Sequence, residues 1–292
     1  MREHVRPSLT RAEDVVANAS GENFPVALRL LPARHRRHLT NLYFFARLTD
    51  DLGDEARESQ AGQDVGALRL RLLDELAADV DRIYAGQTPE SPVMQAMAET
   101  VSECKIPAQP LLDLIEANRQ DQRVTRYRTY PELARYCDLS ANPVGQIVLY
   151  IFGVATPARI ARSDSICTAL QLAEHWQDVA EDLGQGRIYL PGEDLERFGC
   201  TEADLAAPTA GPAVRKLMKF EVNRAAELLD EGAPLVGTLR GAARLAVAGY
   251  LAGGRAALAA IRKQRYDVLK GTPRPRKPRL AAELAQAYVR GR

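Results

Sequence analysis

Apolar residues in this chain recur at intervals of three and four, the period of a helix face, rather than alternating with polar ones. No sustained alternation of β-branched residues occurs, and no Asn-Gly or Asp-Gly hairpin turn. Ala, Leu, Arg and Glu dominate, all strong helix formers. The pattern predicts helices over 10–18, 25–31, 33–53, 64–85, 91–104, 108–121, 130–152, 157–184, 192–198, 212–231, 235–269 and 279–290. Thr10-x-x-Glu13 and Thr129-x-x-Glu132 read as capping boxes that open two of them. Most prolines fall where one periodic segment gives way to the next. Pro143 instead lies inside the apolar run 142–150, beside Gly145, and predicts a kink or break there. No long linker or fixed-period repeat divides the chain. The expectation is one all-α domain over 1–292, with its core at about 20–270 and an irregular, basic, Pro-rich stretch over 271–279.

Composition narrows the function classes. Hydrophobic residues make up 46% of the 292 and charged residues 26%, which excludes a wholly disordered chain. Lys and Arg total 39 against 38 Asp and Glu, a net +1, so no global charge draws the protein to nucleic acid. Cys104, Cys137, Cys167 and Cys200 form no CxxC pair, which argues against structural zinc and for reduced thiols in a cytoplasm. The first residues carry no apolar signal-peptide region, and no run of about 18 apolar residues could span a membrane. A cytoplasmic protein, with at most peripheral contact at the inner face of a membrane, is expected.

Two acidic stripes carry the chemistry. Tyr43, Arg47, Asp50 and Asp54 fall at i, i+4, i+7 and i+11 on a helix whose other positions, Leu42, Phe44, Phe45, Ala46, Leu48 and Leu52, are apolar. Gln171, Glu174, Asp178 and Asp182 fall at i, i+3, i+7 and i+11, and the last three form an i, i+4, i+8 acidic ladder. Like charges one turn apart repel by a few tenths of a kcal/mol per pair, roughly, so stability does not ask for the ladder. A divalent cation does. Mg²⁺ takes carboxylate oxygens, keeps waters and completes its shell on substrate phosphates. One such ladder is more often a solvated face. Two in one chain, each on an otherwise apolar helix, point to a shared metal–diphosphate site.

These residues resemble the squalene/phytoene synthase family, head-to-head prenyl transferases of the class I isoprenoid synthase fold, over about 22–269. Tyr43-x3-Arg47-x2-Asp50-Asp51-x2-Asp54 is similar to the family's first aspartate-rich motif. Gln171-x2-Glu174-x3-Asp178-Val-Ala-Glu-Asp182 is similar to its second, and Arg187-Ile-Tyr189-Leu-Pro191 follows. Tyr136-Cys137-x3-Ala141-x2-Val144-Gly145 resembles the segment lining the family's cavity. Glu22-Asn23-Phe24-Pro25-Val26-Ala27 and His175-Trp176-Gln177-Asp178-Val179 resemble the family's bacterial hydroxysqualene-forming branch, in hopanoid biosynthesis. The serines common before the Phe in first-step enzymes are mostly missing from Ser20-Gly21-Glu22-Asn23, and Glu174 stands where Asn is frequent.

The resemblance implies a helical bundle around a central cavity, and conversion of presqualene diphosphate and water to hydroxysqualene and diphosphate. It implies two to three Mg²⁺ ions on Asp50, Asp51, Asp54, Glu174, Asp178 and Asp182, and no nicotinamide. Arg47 and Arg187 would bond the diphosphate, with Tyr189 beside them. Phe24, Tyr43, Tyr136 and Val144 would line the cation's cavity, and Asn23 or Gln171 would place the water. Blander roles stand beside these: core aromatics for Tyr43 and Tyr136, an intrahelical partner of Asp50 or Asp51 for Arg47, packing for Trp176, apolar filling for Cys137 and Cys167. The run Arg34-His-Arg-Arg-His38 reads as a solvated face, or a diphosphate or membrane-surface contact. The rivals are presqualene diphosphate, phytoene or reductive squalene synthase. A helical binding protein remains the non-enzymatic alternative. Its basic end (Arg262, Lys263, Arg265, Lys270, Arg274, Arg276, Lys277 and Arg279) suits an anionic lipid surface better than RNA, since aromatics beyond Tyr266 are missing there.

Overall fold

A computed structural model describes residues 31–54, 65–275 and 277–290; the helix expected at 10–18, and all of that expected at 25–31 except Leu31, lie outside them. Helices α1 (Ala33–Asp54), α2 (Val65–Tyr84), α3 (Pro92–Cys104) and α4 (Gln109–Asp121) come first. Then follow α5 (Tyr130–Ser140), α6 (Asn142–Ile151), α7 (Pro157–Gln177) and α8 (Val179–Gly184). The remainder are α9 (Gly192–Phe198), α10 (Glu202–Leu205), α11 (Pro212–Gly232), α12 (Leu235–Thr238), α13 (Gly241–Lys263) and α14 (Lys277–Arg290). No strand occurs among the described residues; one isolated parallel bridge joins Arg126 to Ile188. The all-α expectation holds.

Two apolar clusters organise the bundle. Phe45 of α1, Leu73 of α2, Met94 and Met97 of α3 and Leu111 and Ile115 of α4 are buried together with Ile147, Val148 and Ile151 of α6. Leu172 and Trp176 of α7 lie in the second cluster with Leu217, Met218, Val222 and Leu229 of α11 and Leu251 and Leu258 of α13. Helix α6 touches both α1 and α7, so it connects the two halves.

The break at Pro143 is present. Helix α5 stops at Ser140 and α6 restarts at Asn142, because proline lacks the N–H of an interior helical residue and its ring clashes with the preceding turn. Asn142 pins the junction: its amide donates to Asp138 at 2.9 Å and its oxygen accepts the Thr168 hydroxyl of α7 at 3.0 Å. At Gly145 a Cβ would stand 2.4 Å from Cys167 Sγ and 2.5 Å from Ser163 Oγ, so α6 and α7 approach at a distance only glycine allows.

Several boundaries differ from expectation. The segment 235–269 is not one helix. Arg159 donates to the carbonyl of Thr238 at 2.7 Å, Leu239 and Arg240 are extended, and Gly241 starts α13 with φ 53°. Helix α13 then ends at Lys263, because Arg265 and Tyr266 adopt left-handed conformations (φ 53° and 61°). Asp267 fixes that turn by accepting from the Thr209 hydroxyl (2.6 Å), the Ala210 N–H (2.9 Å) and Arg215 (2.6 Å). Helix α10 was not expected; a capping box between Thr201 and Asp204 opens it. Thr129 caps α5 as anticipated, accepting the Glu132 N–H at 3.4 Å. The Pro-rich stretch is irregular only to 275, and helix resumes at Lys277, since Pro278 is tolerated in a first turn.

The His-Arg run is not simply a solvated face. His38 is 0% exposed, with Nδ1 3.1 Å from the Thr100 hydroxyl and Nε2 3.4 Å from Glu103. His35 packs on the Phe152 ring at 4.9 Å. Arg37 points outward and pairs with Glu103 at 2.6 Å. His38 is part of how α1 docks on α3, and His35 of how it meets Phe152 at the end of α6.

Gly232, in the last turn of α11, meets α7 where a Cβ would stand 2.4 Å from Ile166 and 2.7 Å from the Arg162 carbonyl. Gly232→Ala is expected to destabilise the protein by about 1–3 kcal/mol through overpacking. A urea unfolding curve with an unmoved midpoint would contradict the close approach.

Candidate active site

The first stripe borders a cavity of about 180 Å³. Tyr43, Arg47 and Asp50 form its polar side, and Leu39, Leu42, Ala46 and Val144 its apolar side. Val144 comes from α6, immediately before the glycine that brings α6 onto α7. Arg47 Nε pairs with Asp51 at 2.8 Å, so the intrahelical partner weighed for it is present. Asp54 closes α1, and its carboxylate lies outside the described residues, as do Asn23 and Phe24.

Helix α4 holds the end of α1 in place. Asn118 donates to Asp50 at 3.3 Å, and Gln122 donates to the Gly53 carbonyl at 3.0 Å. Three residues from Asn118, Asp121 accepts the Tyr136 hydroxyl at 2.9 Å. Gln120 donates to the Tyr127 hydroxyl at 3.3 Å. The last turns of α4 therefore touch the first stripe on one side and an aromatic cluster on the other. The sequence reading missed these residues. Their only signal was four polar side chains, Asn118, Gln120, Asp121 and Gln122, ending an apolar helix.

The second stripe is not on one continuous helix. Asp178 departs from helical geometry (φ −106°, ψ 17°) and separates α7 from α8. The backbone hydrogen-bond ladder nevertheless crosses the bend: the Asp178 N–H donates to the Glu174 carbonyl at 3.0 Å and the Asp182 N–H to the Asp178 carbonyl at 2.8 Å. Glu174 is exposed, whereas Asp178 and Asp182 are half-buried. Burial, then Asp178, raises the Asp182 carboxyl to about 7, with Glu181 and Glu174 adding to the push and Arg187 opposing it. Burial likewise raises Asp178, against the pull of Thr272 and Arg274.

Arg187 and Tyr189 reach this ladder from an extended segment. The Ile188 N–H donates to Thr125 and the Gly192 N–H to Tyr127, each at 2.9 Å. Arg126 secures the far edge, donating to the Gly186 carbonyl at 2.6 Å and gripping both oxygens of Glu202. Residues two apart in an extended segment share a side, which places Arg187 and Tyr189 together. The Tyr189 ring stacks on His175 at 3.6 Å and 12°, with Tyr136 and Tyr127 at 5.8 and 5.9 Å. His175 lies on the acidic stripe itself, with Nε2 3.2 Å from the Gln171 amide and Nδ1 4.0 Å from Asp182. Burial, helped by Arg187, lowers its imidazole to about 3, so it is neutral. Burial and Asp121 push the Tyr136 phenol well up, so it stays protonated. Cys137 and Trp176 are wholly buried in the core, as weighed for them.

Among the described residues, no three His, Cys, Asp or Glu side chains converge closely enough to enclose a metal. The donors are all hard carboxylate oxygens, and Asp178 and Asp182 carry charge against burial and against each other. That chemistry fits a cation which completes its shell with water and substrate phosphate, and does not fit a closed protein cage.

A family model described as squalene/phytoene synthase matches residues 17–281. The chain belongs to the squalene/phytoene synthase family. It is thus an enzyme of isoprenoid biosynthesis, from a family that joins prenyl diphosphates head to head. Hydroxysqualene synthase of Rhodopseudomonas palustris is 33% identical over 220 residues, covering 75% of this chain and 72% of that protein. The 15-cis-phytoene synthase of Synechocystis is 30% identical over 281 residues, covering 92% and 81%. The crystal structure of squalene synthase HpnC from Alicyclobacillus acidocaldarius superposes with a TM-score of 0.77 at 40% identity, covering 87% of this chain and 94% of that one. That squalene synthase shares this chain's helical fold. No helix among the described residues is long and apolar enough to cross a membrane.

Asp182→Asn removes a carboxylate that the metal-free fold disfavours. With the folded-state value near 7 and an unfolded value near 3.8, the native carboxyl holds a proton that the unfolded chain has lost between those values. Wild-type stability therefore falls as pH rises from about 4 to 7, and the variant escapes that fall. In EDTA the variant is expected to unfold at a higher temperature than wild type at pH 8 and at a similar one at pH 4. Equal stability at pH 8 would contradict the strained charge.

Proposed function

We propose that this enzyme converts presqualene diphosphate and water to hydroxysqualene and diphosphate. One observation carries the substrate class. A polar edge of Tyr43, Arg47 and Asp50 faces an apolar wall of Leu39, Leu42, Ala46 and Val144 across one cavity, which suits the junction between a diphosphate head and the first carbons of a hydrocarbon body. The hydrating branch rests on the likeness to the R. palustris hydroxysqualene synthase and on Glu174, where family members often carry Asn.

The carbon–oxygen bond to diphosphate breaks, and the electron pair leaves with the diphosphate. The carbocation rearranges, water supplies the pair for the new carbon–oxygen bond, and its proton passes to the released diphosphate or to solvent. No electrons are exchanged, so the reaction needs no nicotinamide. Asp50, Asp51, Asp54, Glu174, Asp178 and Asp182 would hold Mg²⁺, which neutralises charge on the departing diphosphate. Arg47 exchanges Asp51 for diphosphate oxygens, which keeps the guanidinium in charge-assisted hydrogen bonds throughout. Arg187 acts from the second side. Tyr189, protonated and stacked on a neutral His175, and Tyr136, tilted 6.3 Å from the same ring, form a buried aromatic cluster beside the second stripe that would favour a cation and offers no strong nucleophile to trap it. Gln171 or Asn23 places the water, and residues 1–292 act as a single domain.

A first-step condensation is the second reading. It is favoured by the Synechocystis phytoene synthase, and by a dehydrosqualene synthase whose structure superposes with a TM-score of 0.83 at 25% identity over 96% of both chains.

Product analysis separates the two. Incubated with Mg²⁺ and no nicotinamide, the protein is expected to turn presqualene diphosphate into hydroxysqualene and to leave farnesyl diphosphate intact. Consumption of farnesyl diphosphate would favour the first-step reading, and inertness toward both would reject the two together. Glu174→Ala and Asp50→Ala are each expected to lower kcat/KM by about 10²–10³-fold, as loss of a group that stabilises transition-state charge does.

A further inference from the structure

The basic, Pro-rich stretch after α13 crosses the second acidic stripe. Gln177, 7% exposed, donates its side-chain amide to the carbonyl of Pro273, itself buried. One residue on, at the bend between α7 and α8, the Thr272 hydroxyl hydrogen-bonds to the Asp178 carboxylate, and the Arg274 charge acts on the same group. The stretch is held at both ends. Before it, Asp267 is tied to Thr209, Ala210 and Arg215. After it, α14 returns onto α13, where Arg244 donates to the Tyr288 carbonyl at 2.5 Å and lies over its ring at 4.7 Å.

We propose that residues 271–275 are a strap that positions the second acidic motif, with Gln177 as its latch and Thr272 as the group that orients Asp178. A buried glutamine amide needs a partner, and the Pro273 carbonyl is the one this side chain takes. Pro273 has a fixed φ and restricts Thr272 before it, so holding the Pro273 carbonyl holds the neighbouring hydroxyl as well. Gln177 acts through the strap and touches no substrate. The inference rests on Asp178 belonging to a cation–diphosphate site.

The test uses the full chain, Mg²⁺ and inorganic diphosphate. Gln177→Met keeps the volume and removes the donor. Thr272→Val, at an exposed position, removes the hydroxyl without opening the core, and Thr272→Ser restores it. By titration calorimetry, Gln177→Met and Thr272→Val are expected to weaken Mg²⁺-dependent diphosphate binding by about three- to tenfold, the scale of one hydrogen bond. Thr272→Ser is expected to bind as the parent does. Trypsin is expected to cleave after Lys270 faster in Gln177→Met than in the parent, with the melting temperature of Thr272→Val unmoved. Parent-like binding by Thr272→Val would overturn the strap, even if Gln177→Met failed to fold. A parent that binds no Mg²⁺-dependent diphosphate would reject the site reading and the strap with it.

Discussion

Carboxylates one helical turn apart repel, and withdrawing them from water adds to the cost. Glu174, Asp178 and Asp182 therefore set the terms on which the surrounding structure is built. Each neighbour answers that charge differently. Arg187 arrives on an extended segment that Arg126 and two backbone hydrogen bonds hold in register. Thr272 and Arg274 arrive from the end of the chain. The compensation is incomplete, since Asp182 remains strongly displaced toward its neutral form. A fold that leaves carboxylates in that state gains from any cation that takes up their charge, which is the physical basis of the metal–diphosphate site proposed above.

Helix α4 joins the first acidic stripe to the aromatic cluster that lies beside the second. Asn118 steadies Asp50, and Asp121, one turn on, takes the Tyr136 hydroxyl. The aromatic cluster and the first stripe are thus referenced to one short rigid element. His175 belongs to this arrangement too. It sits among the acids, yet burial keeps it uncharged, so it stacks on Tyr189 without neutralising the ladder.

Much of the helical framework was legible because periodicity and proline are local signals. The break at Pro143 and the helix over 192–198 follow from the residues at those positions. The breaks at Leu239–Arg240 and after Lys263 do not. They depend on Arg159 reaching across to Thr238 and on Asp267 collecting donors from 209–215, partners far away in sequence. The site divides the same way. Tyr43, Arg47 and Asp50 could be grouped from helical spacing, and the structure sets them with Val144 on one cavity. The bend at Asp178, the part played by α4 and the strap over Asp178 could not be read. Each joins segments whose spacing carries no period. The histidines of Arg34–His38 misled for a related reason: flanking arginines made a face look solvated when its inward side docks on α3.

Gly145 has a consequence for how such a cavity can diversify. Its missing side chain lets α6 lie against the Cys167 and Ser163 side chains of α7, so any substituent there must first displace both. One wall of the cavity is in effect a fixed stop. The room in the cavity is then altered more readily through the side chains at Leu39, Leu42 and Ala46, and at Val144 itself, than by moving α6. A change in the size of the group this cavity admits would therefore be written in side chains, those of α1 and Val144, with the backbone of α6 unmoved.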